Sequence, residues 1–178
     1  MSETIHIEID AGKVFSELDG LSKSAMQNAW RRTLRKTSVW IKSQVAKAVS
    51  KESRIPQKLL RARLHFFLRS YDTGKIWLGL NPIEADRLGT PRQTRSGVTV
   101  GRRSFSGAWV NRSPTKSLAG KVYQRVGRER RPYRRVKMDW EKQGEAAFHA
   151  AAEKVEERLL EILRQEINYE IQKAIGRA

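Results

Sequence analysis

Cysteine is absent from the 178 residues, so disulfides and thiolate metal sites are excluded at the outset. The absence fits folding in a reducing compartment. Long apolar runs are missing too. No stretch approaches the roughly 20 residues needed to cross a bilayer, and no membrane contact is expected. The opening Met1-Ser-Glu-Thr-Ile-His-Ile-Glu8 has neither a basic stretch nor an apolar run, so it does not read as a secretory signal.

Catalytic signatures are equally scarce. The three histidines, His6, His65 and His149, fall on separate expected elements and lack the paired spacing of a zinc helix. His6-x-Glu8-x-Asp10 places three potential ligands on one strand face, but a solvent-facing edge is the simpler reading. No Walker loop and no Gly-x-Ser-x-Gly elbow is present. Metal-dependent phosphoryl chemistry needs clustered carboxylates, yet between Arg87 and Lys137 the only acid is Glu129. The sequence thus points away from an enzyme, with no cofactor, no metal and no small-molecule substrate expected.

What the chain has in abundance is positive charge. Lys and Arg number 36 against 19 acids, a formal net charge of +17. Such an excess repels itself and signals a polyanionic partner or an assembly that neutralises it. The distribution is uneven. Between Arg87 and Lys137 there are 15 Lys and Arg, whereas Asp139 to Ala178 holds nine acids and six bases. A two-faced particle is implied, unless the basic run is merely a solvated loop.

Hydrophobic periodicity predicts an α+β fold. Ile5, Ile7 and Ile9 alternate with polar residues, as in a half-buried strand, and residues 11–21 could form a short amphipathic helix. From Ser24, the spacing of Met26, Trp30, Leu34, Thr37, Ile41, Val45 and Val49 predicts a long helix. Pro56 suits the first turn of a short helix through Leu60. Two β-rich runs, Arg63–Arg69 and Lys75–Leu80, flank an Asp-Thr-Gly turn and predict a hairpin. The polar stretch 84–97 contains Gly89 and Pro91, lacks periodicity, and reads as a flexible basic loop. Short strands are expected at 98–100, 105–110, 121–126 and 134–138, with a turn at 111–120. After Asp139, Phe148, Ala152, Val155, Leu159, Ile162, Leu163, Ile167, Ile171 and Ala174 predict a second long helix ending near Gly176. Residues 1–178 are taken as one domain, a central antiparallel sheet packed with two long helices. Trp30, Leu34 and Ile41 are expected to be buried with Leu159 and Leu163.

In the basic segment Phe105, Trp109, Tyr123 and Tyr133 interleave with Arg102, Arg103, Arg112, Arg125 and Arg134. Such interleaving can stack nucleobases and pair phosphates. Strand alternation offers a second reading, which is favoured here: aromatics toward the core and arginines outward. Arg102, Arg103, Arg112, Arg125, Arg128, Arg130, Arg131, Arg134 and Arg135 are the candidates for contact with DNA or with an acidic neighbouring subunit. Arg102 and Arg103 lean to DNA, Arg125 and Arg130 to protein.

Phe105-Ser-Gly-Ala-Trp-Val110 followed by Gly120-Lys-Val-Tyr-Gln-Arg-Val-Gly-Arg-Glu-Arg-Arg-Pro-Tyr133 resembles the minor tail protein Z family of lambda-like and related long-tailed phages. The matching positions are Gly107, Ala108, Trp109, Gln124, Arg125, Gly127, Arg130 and Pro132. Trp109 and Tyr133 stand where that family usually has Phe and Ile, and Val136-Lys-Met-Asp replaces a Gly-Pro-Ser segment. Ser53-Arg-Ile-Pro-Gln-Lys-Leu-Leu-Arg-Ala-Arg63 is similar to a basic stretch of the same family, and the likeness runs from about Ala25 to Ile171. The resemblance implies a non-enzymatic tail-completion subunit at the head-proximal end of the tail. It implies a homo-hexameric ring beside the DNA channel, with the tail terminator and tail tube as partners. The expected location is the virion tail, assembled in the cytoplasm of the bacterial host. A free-standing, non-specific nucleic-acid binder is the other expectation, although no helix-turn-helix, zinc finger or RNA-recognition signature appears.

Overall fold

The computed structural model describes residues 22–68, 74–113, 115 and 117–176. The strand and short helix expected within residues 5–21 lie outside them, as do Asp72 and Thr73 of the hairpin turn and Pro114. Helices and small antiparallel sheets share the chain, but the one central sheet expected from the sequence is not formed. Among the described residues, four separate sheets of two or three strands replace it. The strands are short, two to five residues each, and every ladder stops at two or three strands. Although length suggests one domain, the chain divides into two compact units. One holds the described residues of Met1–Leu80 and Lys142–Ala178; the other is Asn81–Glu141.

The first unit is built on helix α1 (Lys23–Ser53). Ser22 caps it, its Oγ accepting from the Ala25 amide at 3.2 Å. At the far end Arg54 takes a left-handed conformation and donates its N–H to the Ser50 carbonyl. Ile55 and Pro56 then lead into α2 (Gln57–Arg61). The hairpin forms as β1 (Leu64–Leu68) and β2 (Gly74–Leu78), with Leu64 opposite Leu78 and Phe66 opposite Ile76. Two helices close the chain, α3 (Glu141–Ala152) and α4 (Val155–Ala174). The single last helix expected from periodicity is thus broken at Glu153 and Lys154. The apolar spacing from Phe148 through Ala151 and Val155 to Leu159 continues across the break, so the pattern carries no sign of it.

The core of this unit contains Trp30 and Leu34 of α1 packed with Leu159 and Leu163 of α4, as expected. Phe66, Leu68 and Ile167 are set against them. Ile41 is also buried, but outside that cluster. The same two helices are joined by charge. Arg32 Nε meets Glu166 Oε2 and Arg32 Nη2 meets Glu170 Oε1, each at 2.5 Å, while Lys36 Nζ reaches Glu166 Oε1 at 2.5 Å. Both carboxylates are almost fully buried. Arg32 also lies 5.0 Å from the centre of the Tyr169 ring. Burial alone would raise the Glu166 pKa. The hydrogen bonds and charges of Lys36 and Arg32 outweigh that, and hold it below the ordinary 4.5.

Two outcomes follow for this unit. Leu34→Ala or Leu159→Ala should cost about 2–5 kcal/mol in urea denaturation, as expected where a buried leucine leaves a cavity. A depressed carboxylate contributes stability that is complete above its unfolded pKa and is lost as pH falls through the folded one. Wild-type stability should therefore fall as pH drops below the ordinary carboxylate value of 4.5, and Glu166→Gln should flatten that decline. Parallel pH profiles of the two proteins check this.

Candidate functional site

The second unit begins and ends at one place. Trp140 is fully buried, and its indole Nε1–H donates to the Asn81 carbonyl at 3.1 Å. Beside it β3 (Ile83–Glu84) pairs with β10 (Lys137–Met138), and the Ala85 amide donates to the Val136 carbonyl at 2.9 Å. The excursion in between is therefore tied at its base.

The flexible loop expected at 84–97 is not observed. Glu84 completes β3, Ala85–Arg87 make a 3-10 turn, and β4 (Pro91–Gln93) pairs with β5 (Gly97–Val100), which pairs in turn with β6 (Arg103–Ser106). Ala85 and Leu88 are buried and anchor the segment. Two carboxylates hold it as well. Asp86, nearly buried, accepts from Lys121 Nζ at 3.0 Å and Arg135 Nη2 at 3.1 Å, and Glu84 pairs with Arg135 Nη1. Composition suggested disorder because two- and three-residue strands show no periodicity.

The last sheet orders β7 (Ala108–Val110), β8 (Val122–Arg125) and β9 (Tyr133–Arg135). Trp109 faces Tyr123 and Tyr123 faces Arg135; Arg125 faces Tyr133. Alternation sends the small residues inward, Ala108 and Val122 being buried, and leaves Trp109 and Tyr123 half-buried and Tyr133 half-exposed. The favoured reading, aromatics in the core and arginines opposite, is corrected. Trp109, Tyr123 and Tyr133 share a sheet face with Arg125 and Arg135. Their ring centres lie 5.5–6.3 Å apart, Trp109 stacked on Tyr123 and edge-on to Tyr133.

Of the candidate arginines, Arg102, Arg112, Arg125, Arg128, Arg130, Arg131 and Arg134 are exposed, and none has an acidic partner among the described residues. Arg103 is half-buried with an interaction of its own. Arg135 is spent on Glu84 and Asp86 and is unavailable as an outward contact.

Six of the eight matching positions converge, and Arg130 and Pro132 stay outside. Gly107, Ala108, Trp109, Gln124, Arg125 and Gly127 line one open cleft of about 530 Å³, joined by Gln93, Arg95, Ser96, Gly97 and Arg128. Pro132 closes the β8–β9 turn from behind, its carbonyl accepting from the Val126 amide at 2.9 Å. Gln93 fastens the two three-stranded sheets: its Oε1 accepts from the Val110 amide at 2.9 Å, and its Nε2 donates to the Gly97 carbonyl at 2.9 Å. Gln124 Nε2 donates to the Ser106 carbonyl at 2.8 Å. Gly97 is required where it stands, since a Cβ there would lie 2.1 Å from the Phe105 carbonyl oxygen. Gln93 and Arg95 were not legible in the sequence, because they lie in the stretch taken for a loop.

No protein-family model, curated protein or solved structure matches the chain. Among the described residues no helix is long and apolar enough to cross a membrane.

Replacing Gln93 with Leu removes the clamp while roughly keeping its bulk. The expected result is a loss of about 0.5–1.5 kcal/mol, the usual net worth of a hydrogen bond, with faster amide exchange at Val110. Unchanged exchange at Val110 would show that the two sheets are held by packing alone.

Proposed function

We propose that the chain is a structural subunit of a phage or prophage tail, completing its head-proximal end as a member of a ring beside the DNA channel. What carries this reading is the convergence of the tail-family-like segments: Gly107-Ala108-Trp109, Gln124-Arg125 and Gly127 meet at one arginine-lined surface. Exposed Arg128, Arg130, Arg131 and Arg134 extend that surface without acidic partners among the described residues. A ring of such subunits presents a concentrated positive field to DNA or to acidic neighbours. The last helix supplies a complementary sign. Glu156, Glu157 and Glu161 are exposed on α4, so the acidic helix of one copy and the basic unit of the next form a head-to-tail contact of the kind that closes a ring.

A free-standing nucleic-acid binder is the second reading, favoured by half-buried Trp109 and Tyr123 and exposed Tyr133 sharing one sheet face with Arg125. Light scattering on the purified chain separates the two. The tail reading predicts a multimer, alone or on addition of tail-tube protein. The triple reversal Arg130→Glu, Arg131→Glu and Arg134→Glu should abolish that association and stop infectious particles from forming. A chain that remains monomeric with tail components, and whose reversal leaves particle yield untouched, would contradict the proposal.

A further inference from the structure

The cleft has a composition more specific than a positive surface requires. Three of its walls carry Arg95, Arg125 and Arg128, and none of the described residues lining it is acidic. Trp109 lines it as well, half-buried, its indole in a three-ring cluster with Tyr123 and Tyr133. Gly97, Gly107 and Gly127 line it too, and at Gly107 and Gly127 the missing side chain leaves open space. At Gly107 and Gly127 the backbone is left-handed, φ 66° and 94°, and a Cβ at either would touch nothing, so conformation and not crowding calls for glycine.

We propose that this cleft binds single-stranded nucleic acid, one base stacking on Trp109 while the adjoining phosphates pair with Arg95, Arg125 and Arg128. The volume of about 530 Å³ falls within the roughly 300–1,000 Å³ typical of small-ligand sites, a size that suits one nucleotide. Aromatic platforms beside cationic tracks are the usual means of holding unpaired strands, because every base has a π-face. A duplex keeps its bases stacked inside and engages the arginines alone. An acidic peptide likewise uses the arginines and leaves the indole without a partner. Gln93 spends both ends of its amide on the main chain, and Gln124 spends one N–H on the Ser106 carbonyl. Stacking, which every base offers, therefore outweighs edge reading in the proposed site.

This inference shares with the tail proposal only the premise that the free arginines meet a polyanion. A chain that assembles without binding an oligonucleotide, or binds one without assembling, separates the two. The experiment is fluorescence anisotropy of the full chain with labelled oligo(dT) of about a dozen nucleotides, a length within single-fold site sizes. The comparison strands are oligo(dA), an abasic strand of equal charge and a duplex. Oligo(dT) and oligo(dA) should bind alike, and the abasic strand about tenfold more weakly, the loss expected of one stacked base. Arg125→Gln and Arg128→Gln should each lower the log–log salt slope by about 0.7. Trp109→Ala should weaken oligo(dT) but not duplex, and Trp109→Phe should retain binding. Equal affinity for abasic and dT strands overturns the proposal without depending on any variant's folding. So does displacement of oligo(dT) by polyglutamate at equal charge, which would assign the cleft to an acidic protein segment.

Discussion

The Asp86 carboxylate is the interaction on which the basic unit depends. It lies nearly buried between Lys121 and Arg135, while Glu84 takes the other side of Arg135. Three strands are joined through these contacts, because Glu84 ends β3, Arg135 ends β9 and Lys121 precedes β8. Removing one partner from a buried pair leaves the other charge uncompensated, which costs more than the pair contributes. With those two acids committed, and with exposed Glu129 in none of the ion pairs among the described residues, the guanidinium groups of the surrounding turns take the inexpensive place, solvent or a partner. The exposed positive surface is thus a consequence of how the unit closes.

The first unit treats charge differently. The basic face of α1 and the acidic face of α4 neutralise each other at Arg32, Lys36, Glu166 and Glu170, beside the Trp30–Leu34–Leu159–Leu163 core. Part of the acidic C-terminal segment is therefore structural. What remains exposed on α4 without an ion-pair partner among the described residues, Glu156 and Glu157, is the portion open to a neighbour, Glu161 being paired with Arg158. Exposed arginines outside the ion pairs remain on α1 as well, at Arg31 and Arg35, but the middle segment carries more of them, from Arg102 to Arg134.

Long elements were legible in the sequence and short ones were not. Residues from Trp30 to Val49 repeat at helical spacing for long enough that only a helix buries them all. β3 and β4 are too short to show any period, so Ala85 and Leu88 passed for loop residues although they anchor the unit. Alternation was read correctly as a rule but assigned to the wrong faces, because Trp109 and Tyr123 looked like better core residues than Ala108 and Val122. The site was half legible. Gly107, Trp109, Gln124 and Gly127 stood out individually, but their meeting depends on the Gln93 clamp and on the β7–β8 register. Neither leaves a mark in composition.

The central claim is that the arginine-bearing face of the middle unit is where this chain meets its partner. Arginine-selective chemical footprinting tests it most directly, comparing the free chain with the chain in particles purified from the induced host. The account predicts that Arg95, Arg125, Arg128, Arg130 and Arg131 become protected on assembly, while Arg31 and Arg35 of α1 react alike in both. Equal modification of the middle-unit arginines in the free and assembled chain would contradict it.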